Sequence, residues 1–245
     1  MEIKDKRVLV VVPSYNEGER IGDIIHRIRN VLSGIKVLVI DDCSTDDTRA
    51  KAMEAGATVL THPVNLGYGG GLETGYSYAL QRGFDVVIQM DGDGQHVAEE
   101  IPKILLPVLN GEADITIGSR YLDIGVAGYR TPLARRLGQR LFCSIYYLIT
   151  RRVITDPTSG FQCLNKRTLE LYTRVFFPDD FPDADVLLIA YYAKLRILEV
   201  AVRMLERTGG VSMHSGLRPI YYVFKMLFSM FITVWNRRKW ISYGI

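Results

Sequence analysis

Two aspartates separated by one residue, Asp91 and Asp93, are the residues best suited to chemistry, in the segment Asp91-Gly-Asp-Gly-Gln-His96. Carboxylates held close together by the flexible Gly92 suit a hard divalent cation that also bridges phosphate groups. A solvated Asp-Gly turn is the alternative. An EF-hand loop is excluded, because no glutamate occupies the twelfth position of such a loop. His96 fits a hydrogen-bonding residue at a helix entry better than a metal ligand.

Two more polar clusters are Pro13-Ser-Tyr-Asn-Glu17 and Asp41-Asp-Cys-Ser-Thr-Asp-Asp-Thr48. In the first, Asn16 could cap the helix that follows, and the glutamate suits the positive end of the helix dipole. In the second, a serine or an aspartate could cap the next helix, but the adjacent Asp41 and Asp42 exceed what capping requires. Both clusters therefore remain open to a structural and to a binding interpretation.

A glycine-rich segment, Asn65-Leu-Gly-Tyr-Gly-Gly-Gly71, precedes a predicted helix and is similar to a phosphate cradle. It lacks the Lys-Ser/Thr of a P-loop and does not match the G-x-G-x-x-G pattern, so neither a Walker ATPase nor a Rossmann dehydrogenase is supported. Close packing of the helix or mobility of the loop would explain the glycines equally well.

Alternating strands and helices must position these clusters. Short apolar runs predict five strands, at 8–12, 37–40, 58–60, 86–89 and 115–117. Apolar residues at helical spacing predict the helices between them, at 21–32, 48–55, 70–82 and 98–109. Continuously apolar strands indicate a parallel sheet covered on both faces, so we predict an α/β doubly wound fold. Sites in such sheets form beyond the carboxyl ends of the strands, where the polar clusters lie.

The composition is that of a packed domain with an excess of apolar residues. Of 245 residues, 48% are hydrophobic and 23% are charged, and the net charge is +3, which excludes disorder. The 3 scattered cysteines indicate a reducing compartment. We find no signal-peptide core and no run of the ~18 apolar residues expected of a membrane span. The mean hydropathy of +0.08 is nevertheless high for a freely soluble enzyme.

The apolar excess is concentrated in two segments, 141–149 and 219–235, each accompanied by basic residues. Arginines surround the first segment, and Arg237-Arg-Lys239 follows the second. Within the second segment, Lys225, Ser229 and Thr233 recur at every fourth position.

This narrow polar stripe predicts a helix that lies in a bilayer interface. At ~1.5 Å a residue, the helix is too short for a hydrocarbon core of ~30 Å. Packing on the domain or on a small membrane-embedded partner subunit is the alternative.

In their order along the chain, the motifs resemble those of the family 2 glycosyltransferases of GT-A fold. The resemblance covers residues 7–213 and extends through Gly118-Ser-Arg-Tyr121, Asp156-Pro-Thr-Ser-Gly-Phe161 and Arg207-Thr-Gly-Gly-Val-Ser212. These three elements are most similar to the dolichol-phosphate mannose synthase branch and its bacterial polyprenyl-phosphate relatives. The chain lacks the Gln-x-x-Arg-Trp signature of processive synthases, which favours the transfer of a single sugar.

The resemblance implies a role for each matched residue. The residues that would bind the nucleotide sugar are Pro13, Tyr15, Asn16, Glu17, Asp42, Gly70, Asp91 and Gly92. Those that would bind Mg²⁺ or Mn²⁺ are Asp91, Asp93 and Gln95. The residues implied in catalysis are Asp93, Arg120, Asp156 and Arg207. The acceptor or its phosphate would contact Arg135, Arg136 and Ser159. The alternatives are a solvated helix face for the paired arginines and a turn cap before Pro157 for the aspartate.

The implied chemistry is coherent by itself. Sugar transfer builds positive charge at the anomeric carbon and negative charge on the leaving diphosphate, which a metal ion and arginines stabilise. A phosphate acceptor is already anionic near pH 7 and needs no strong general base. An alcohol acceptor would need one, and the candidates are Asp156, Asp183 and Asp185.

We therefore predict a metal-dependent inverting glycosyltransferase that moves one sugar from a UDP- or GDP-sugar to a polyprenyl phosphate. The predicted organisation is a GT-A catalytic domain at 1–213 and a membrane-associating helix at 214–245. The expected location is cytoplasmic, peripheral on the cytosolic face of a membrane, with no nucleic-acid partner. Gln139 and Met213 stand where the synthase branch tends to have serine and lysine, which keeps a sugar hydroxyl open as acceptor. A non-catalytic nucleotide-sugar-binding scaffold is a third hypothesis, against which the aspartate pair argues.

Overall fold

The computed structural model describes residues 6–122, 133–175, 177–178, 182–205 and 218–243, which form one seven-stranded sheet with helices on both faces. The strands are β1 Val8–Ser14, β2 Lys36–Asp41, β3 Thr58–Thr61, β4 Val86–Gln89, β5 Ile115–Ser119, β6 Gln162–Asn165 and β7 Ile197–Ala201. The helices are α1 Ile21–Val31, α2 Thr48–Glu54, α3 Gly67–Gln81, α4 Ile101–Leu109, α5 Leu133–Thr150, α6 Lys166–Tyr172, α7 Ala184–Tyr192, α8 Arg218–Trp235 and α9 Arg237–Tyr243. A 3₁₀ turn, Ala98–Glu100, leads into α4.

The strand order is β3-β2-β1-β4-β6-β5-β7. Strand β1 pairs in parallel with β2 on one side and with β4 on the other, so the carboxyl ends of these three strands lie side by side. Strand β6 runs antiparallel to both β4 and β5. The predicted α/β doubly wound, mostly parallel sheet is confirmed, and β6 is an antiparallel strand that the apolar pattern did not predict.

The glycines of α3 let this helix lie directly on β1. A Cβ atom added to Gly75 would come within 2.4 Å of Cγ1 of Val11, and one added to Gly71 would lie 3.3 Å from Cβ of Pro13. Real Cβ atoms do not approach other atoms as closely as the first distance. Close packing is therefore one reason for the glycine-rich sequence, and it brings the start of α3 to the end of β1.

Helices α8 and α9 belong to the core on the α3 side of the sheet. Met226, Met230 and Trp240 are buried in the same cluster as Leu72 of α3 and Leu187 of α7. The predicted domain boundary between residues 213 and 214 lies outside the described residues. Within the described part of the chain, no helix is both long and apolar enough to cross a membrane.

Two residues of the polar stripe of α8, Ser229 and Thr233, face the protein. The hydroxyl of Ser229 donates a hydrogen bond to the carboxylate of Asp185 in α7, and Thr233 is buried. The opposite face of α8 exposes five aromatic side chains, with between 55% and 78% of each accessible: Tyr221, Phe224, Phe228, Phe231 and Trp235. The alternative of packing on the domain therefore holds for the polar face, and the aromatic face is left uncovered by the described residues.

Candidate active site

The loops after β1 and β2 are joined through Asn16. Its side-chain Oδ1 accepts a hydrogen bond from the backbone N–H of Thr45 at 2.8 Å, and its own N–H donates to Oγ of Ser44 at 3.0 Å. Helix α1 begins only at Ile21, so the expectation that Asn16 caps it is wrong. The left-handed backbone of Asn16, with φ of 54°, instead turns the loop beside the half-exposed ring of Tyr15.

Two buried carboxylates of the predicted nucleotide site have partners within the protein. Glu17 pairs with Arg20 at 2.9 Å. Asp42 accepts hydrogen bonds from the backbone N–H groups of Leu66 at 2.8 Å and Gly67 at 2.9 Å, and its Oδ1 lies 2.7 Å from Nδ1 of His62. Asp42 therefore caps the glycine-rich start of α3. Its predicted contact with a nucleotide stays a prediction.

Asp91 and Asp93 follow β4, in a loop that lies against the end of β1. A Cβ atom on Gly92 would come within 2.6 Å of Oγ of Ser14, so glycine is required for this approach. Oδ1 of Asp91 accepts a hydrogen bond from the hydroxyl of Tyr68 at 2.6 Å, and Oδ1 of Asp93 accepts one from the N–H of Gln95 at 3.0 Å. Both aspartate side chains remain partly accessible.

His96 stabilises the loop that carries Asp91 and Asp93. Its Nδ1 accepts a hydrogen bond from the backbone N–H of Asp91 at 2.9 Å, and its ring stacks on that of Phe161 at 4.9 Å between centroids. The side chain is buried. The structure thus places His96 as a hydrogen-bonding residue, in agreement with the sequence.

The donor set fits a divalent cation that is shared with a substrate. Among the described residues, no group of three or more His, Cys, Asp or Glu side chains is arranged to hold a metal ion alone. Mg²⁺ in phosphoryl and nucleotide sites is bound by one or two carboxylates, with phosphate and water oxygens completing the coordination. Asp91 and Asp93 supply such a pair. Gln95 donates from Nε2 to the carbonyl of Leu205 at 3.3 Å, which ties this loop to the chain leading toward Arg207.

Arg120 and Asp156 form a buried ion pair at the end of β5. Nε and Nη2 of Arg120 donate to the two carboxylate oxygens of Asp156 at 2.7 and 2.8 Å. Asp156 is 0% exposed and Arg120 is 6% exposed. Oγ of Ser159 is also turned inward and donates to the carbonyl of Gly118 at 2.6 Å. The predicted catalytic role of Asp156 and acceptor contact of Ser159 stay predictions, since both side chains here secure the end of β5.

The turn at 156–161 also reaches the aspartate pair. Gly160 lies so close to Asp91 that an added Cβ atom would stand 2.8 Å from its Oδ1. Arg120 therefore lies at the same edge of the sheet as the candidate metal ligands, namely the edge formed by the carboxyl ends of β4 and β5. This brings together the motifs after β4, after β5 and before β6, as the sequence predicted for a site at the strand ends.

Four more of the predicted residues are Gly70, Arg135, Arg136 and Arg207. Arg207 lies outside the described residues, and so does the side chain of Arg135. Arg136 is exposed on α5. Gly70 lies in the first turn of α3, where an added Cβ atom would stand 2.9 Å from Cβ of Leu66.

Glu199 holds the turn that carries Asp156, a role that was not predicted from the sequence. Its carboxylate accepts hydrogen bonds from the backbone N–H groups of Thr155 at 2.7 Å and Asp156 at 2.8 Å. Burial raises the pKa of Glu199, and the hydrogen bonds oppose that shift. A single acid within the otherwise apolar strand Ile197–Ala201 was the available signal.

Asp183, at the start of α7, contacts α8. Its Oδ2 accepts a hydrogen bond from the hydroxyl of Tyr222 at 2.6 Å. Burial raises the pKa of Asp183 from 3.8 to about 7, and the negative charge of Asp185 adds to the rise. The charges of Arg120 and Asp91 also act on this carboxyl, so it lies within electrostatic reach of the strand-end site.

The chain is similar in sequence to proteins of a known family. The sequence profile described as glycosyl transferase family 2 matches residues 9–172. The chain is 32% identical to an undecaprenyl-phosphate mannosyltransferase of Micrococcus luteus, over 86% of this chain and 88% of that protein. It is 31% identical to the polyprenol monophosphomannose synthase of Mycolicibacterium smegmatis, over 90% and 86% respectively.

A solved structure shows the same fold. Glucosyl-3-phosphoglycerate synthase from Mycobacterium tuberculosis, in a crystal structure with Mn²⁺ and uridine-diphosphate-glucose, superposes with a TM-score of 0.71. The superposition covers 92% of this chain and 79% of that one. Because the two sequences are 22% identical, the similarity shows the fold alone.

Proposed function

The chain belongs to glycosyl transferase family 2, and on that premise we propose that it transfers one sugar from a UDP- or GDP-sugar to a polyprenyl phosphate on the cytosolic face of a membrane. The observation that carries the proposal is the pair Asp91 and Asp93, partly accessible at the strand ends and adjacent to the turn that holds Arg120. The polyprenyl-phosphate transferases among its relatives support the acceptor.

The proposed donor site uses charge at the leaving diphosphate. Asp91 and Asp93 would hold Mg²⁺ or Mn²⁺, which supplies positive charge to the diphosphate when bound. Arg120 adds a positive charge that Asp156 keeps in one orientation. Because these groups are ordered before the reaction, they stabilise the developing negative charge without reorganising.

The proposed acceptor requires no deprotonation. A phosphate monoester is anionic near pH 7, so one of its oxygens can attack the anomeric carbon directly, and the bond to the diphosphate breaks on the opposite face. This gives inversion at that carbon. The carboxylate of Asp156 is fully buried, which is compatible with an acceptor that needs no general base.

A membrane location is supported by what we term the α5–α8 face. The two helices meet where the rings of Phe142 and Tyr222 contact edge to face at 5.7 Å. We use this name for the exposed apolar side chains of the two helices, which are Leu137, Leu141, Tyr147, Leu148, Tyr221, Phe224, Phe228, Phe231 and Trp235. Arg136 and Arg140 are exposed on α5, and Arg151 is exposed directly after it. Aromatic and aliphatic residues bordered by arginines suit the headgroup region of an anionic bilayer. A small membrane-embedded partner subunit is the alternative occupant.

A second candidate acceptor is a sugar hydroxyl of a lipid-linked or surface glycan. Asp183 is a candidate general base for this acceptor, since burial raises its pKa to about 7 and a general base works best when its pKa lies near the working pH. Gln139, at the position where the synthase branch tends to have serine, donates to the backbone carbonyl of Thr155 and so stabilises the turn before Asp156.

The deciding experiment incubates the purified full chain with a panel of UDP- and GDP-sugars, Mn²⁺ and undecaprenyl phosphate. The expected result is one lipid-phosphate sugar product of inverted configuration. A product that forms only when a glycan acceptor is supplied would favour the second candidate. Donor binding without either transfer or hydrolysis would instead identify a non-catalytic nucleotide-sugar-binding subunit.

A further inference from the structure

A chain of hydrogen bonds runs from the core of the protein to Asp91. The hydroxyl of Tyr76 donates to Oε1 of Gln89 at 2.5 Å, Nε2 of Gln89 donates to the hydroxyl oxygen of Tyr68 at 2.9 Å, and Tyr68 donates to Oδ1 of Asp91 at 2.6 Å. Tyr76 is 1% exposed and Gln89 is 3% exposed. The two tyrosines lie about two turns apart on the same face of α3.

The direction of every bond follows from the carboxylate. An ionised aspartate can only accept, so the single proton of Tyr68 goes to Asp91. The oxygen of Tyr68 is then free to accept from the amide nitrogen of Gln89, and the amide oxygen accepts from Tyr76.

Gly160 closes the space beside the last bond. A Cβ atom at this position would stand 2.7 Å from the hydroxyl oxygen of Tyr68 and 2.8 Å from Oδ1 of Asp91. Three sequence motifs therefore meet at one hydrogen bond: the glycine-rich segment, the Asp-Gly-Asp segment and the Thr-Ser-Gly-Phe segment. The glycine leaves room for the bond, which any other residue would displace.

We propose that Tyr68 is a positioning residue, whose hydroxyl holds Oδ1 of Asp91 and so limits the orientations of the carboxylate that would bind the metal ion and the donor nucleotide. The inference rests on the proposed function, in which Asp91 binds these ligands. Without the hydroxyl, the carboxylate would populate several rotamers, and binding would have to order it again.

The test measures Mn²⁺ affinity by calorimetry in the presence of saturating UDP or GDP. Tyr68→Phe should weaken Mn²⁺ binding by about tenfold, the effect of losing one hydrogen bond to a charged group. Tyr78→Phe, on the same helix and outside the hydrogen-bond chain, should bind as the wild type does. Failure of the wild type to bind Mn²⁺ with either nucleotide would refute the proposed metal site and the inference with it. Equal affinities of wild type and Tyr68→Phe would overturn the inference alone.

Tyr76→Phe separates positioning from stability. It removes a buried hydroxyl from the far end of the same chain, and we expect its melting temperature to fall about as much as that of Tyr68→Phe. Positioning predicts that Mn²⁺ affinity falls more in Tyr68→Phe than in Tyr76→Phe. Parallel losses of stability and affinity in the two variants would show a merely structural role.

Gly160→Ala provides a variant that removes no polar group. Its added methyl would stand 2.7 Å from the hydroxyl oxygen of Tyr68 and 2.8 and 3.0 Å from the two carboxylate oxygens of Asp91, so Mn²⁺ binding should weaken here as well. In the double variant with Tyr68→Phe, the loss of Mn²⁺ binding free energy should be smaller than the sum of the two single losses. Both changes act on the same hydrogen bond. Fully additive losses would contradict the proposal.

Discussion

Arg120 and Asp156 are 36 positions apart in the chain, yet the guanidinium of one donates two hydrogen bonds to the carboxylate of the other, at 2.7 and 2.8 Å. The backbone N–H of Arg120 donates to the same carboxylate at 3.1 Å. The carboxylate of Asp156 is wholly enclosed, and Arg120 is 6% exposed. The pair joins the end of β5 to the turn that precedes β6, and so it holds one side of the candidate site.

Breaking this pair should destabilise the protein strongly. Asp156→Ala would leave the guanidinium of Arg120 buried without its carboxylate, and the free energy of unfolding should fall by about 3–5 kcal/mol. Urea denaturation measures the change. Asp23→Ala, at an exposed position in α1, should alter the free energy of unfolding by less than about 0.5 kcal/mol. Similar small changes in both variants would mean that the pair contributes little.

Asp93→Ala should abolish sugar transfer without unfolding the protein. The side chain is partly accessible and lies in a loop, so its loss removes a candidate metal ligand and leaves the core intact. Losing the charge stabilisation of the leaving group should cost about 10²-fold or more in rate. Transfer assays with added Mn²⁺ and the melting temperature together provide the measurement. Full activity of this variant at saturating Mn²⁺ would refute the site, and Asp23→Ala is again the matched control.

The Asp183 carboxyl should contribute less to stability as pH rises from about 4 to about 7. The pKa of Asp183 is raised by burial from 3.8 to about 7, so within this range the unfolded chain loses a proton that the folded protein keeps. The unfolded state then binds fewer protons, and the free energy of unfolding falls with pH until the folded carboxyl also ionises. Burial raises the pKa of Asp185 and Glu199 too, which acts in the same direction.

Asp183→Asn should remove part of this dependence. The amide cannot ionise, and its oxygen can still accept the hydrogen bond of Tyr222. Melting temperatures of variant and wild type should be similar near pH 4 and diverge in favour of the variant toward pH 8. If the difference in melting temperature between variant and wild type stays constant from pH 4 to pH 8, the raised pKa of Asp183 is contradicted.

Membrane binding should depend on the aromatic residues of the α5–α8 face. Replacing Phe224, Phe228 and Phe231 together by serine should weaken flotation with anionic liposomes by roughly tenfold or more, because apolar contact with the bilayer is lost. Deleting α8 would also remove the buried Met226 and Met230, so these substitutions are the sharper test.

A control for this experiment changes exposed apolar residues elsewhere. Met53 and Val64 are 55% and 58% exposed and lie outside the α5–α8 face. Their replacement by serine should leave flotation unchanged. If the variant with serine at positions 224, 228 and 231 floats as well as the wild type, the proposed membrane contact is refuted.

The first five strands could be predicted because each is a short, nearly continuous apolar run. Strand β6 could not, since its four residues, Gln162–Asn165, begin and end with amides. Strand β7 contains Glu199 and is only half-buried, so its pattern is weak. The polar stripe of α8 was visible in the sequence, but periodicity does not reveal which side of a helix the protein covers.

Local sequence by itself determined the α/β fold class and the place of Asp91 and Asp93 after a buried strand. These features depend on neighbours in the chain, which strand patterns and turn residues specify. Only the tertiary structure decided which group each carboxylate contacts: Asp42 contacts the start of α3, Asp156 contacts Arg120, and Asp183 contacts Tyr222. Those partners lie 25 to 39 positions away, so they are set by the order of strands in the sheet and by the packing of helices upon it.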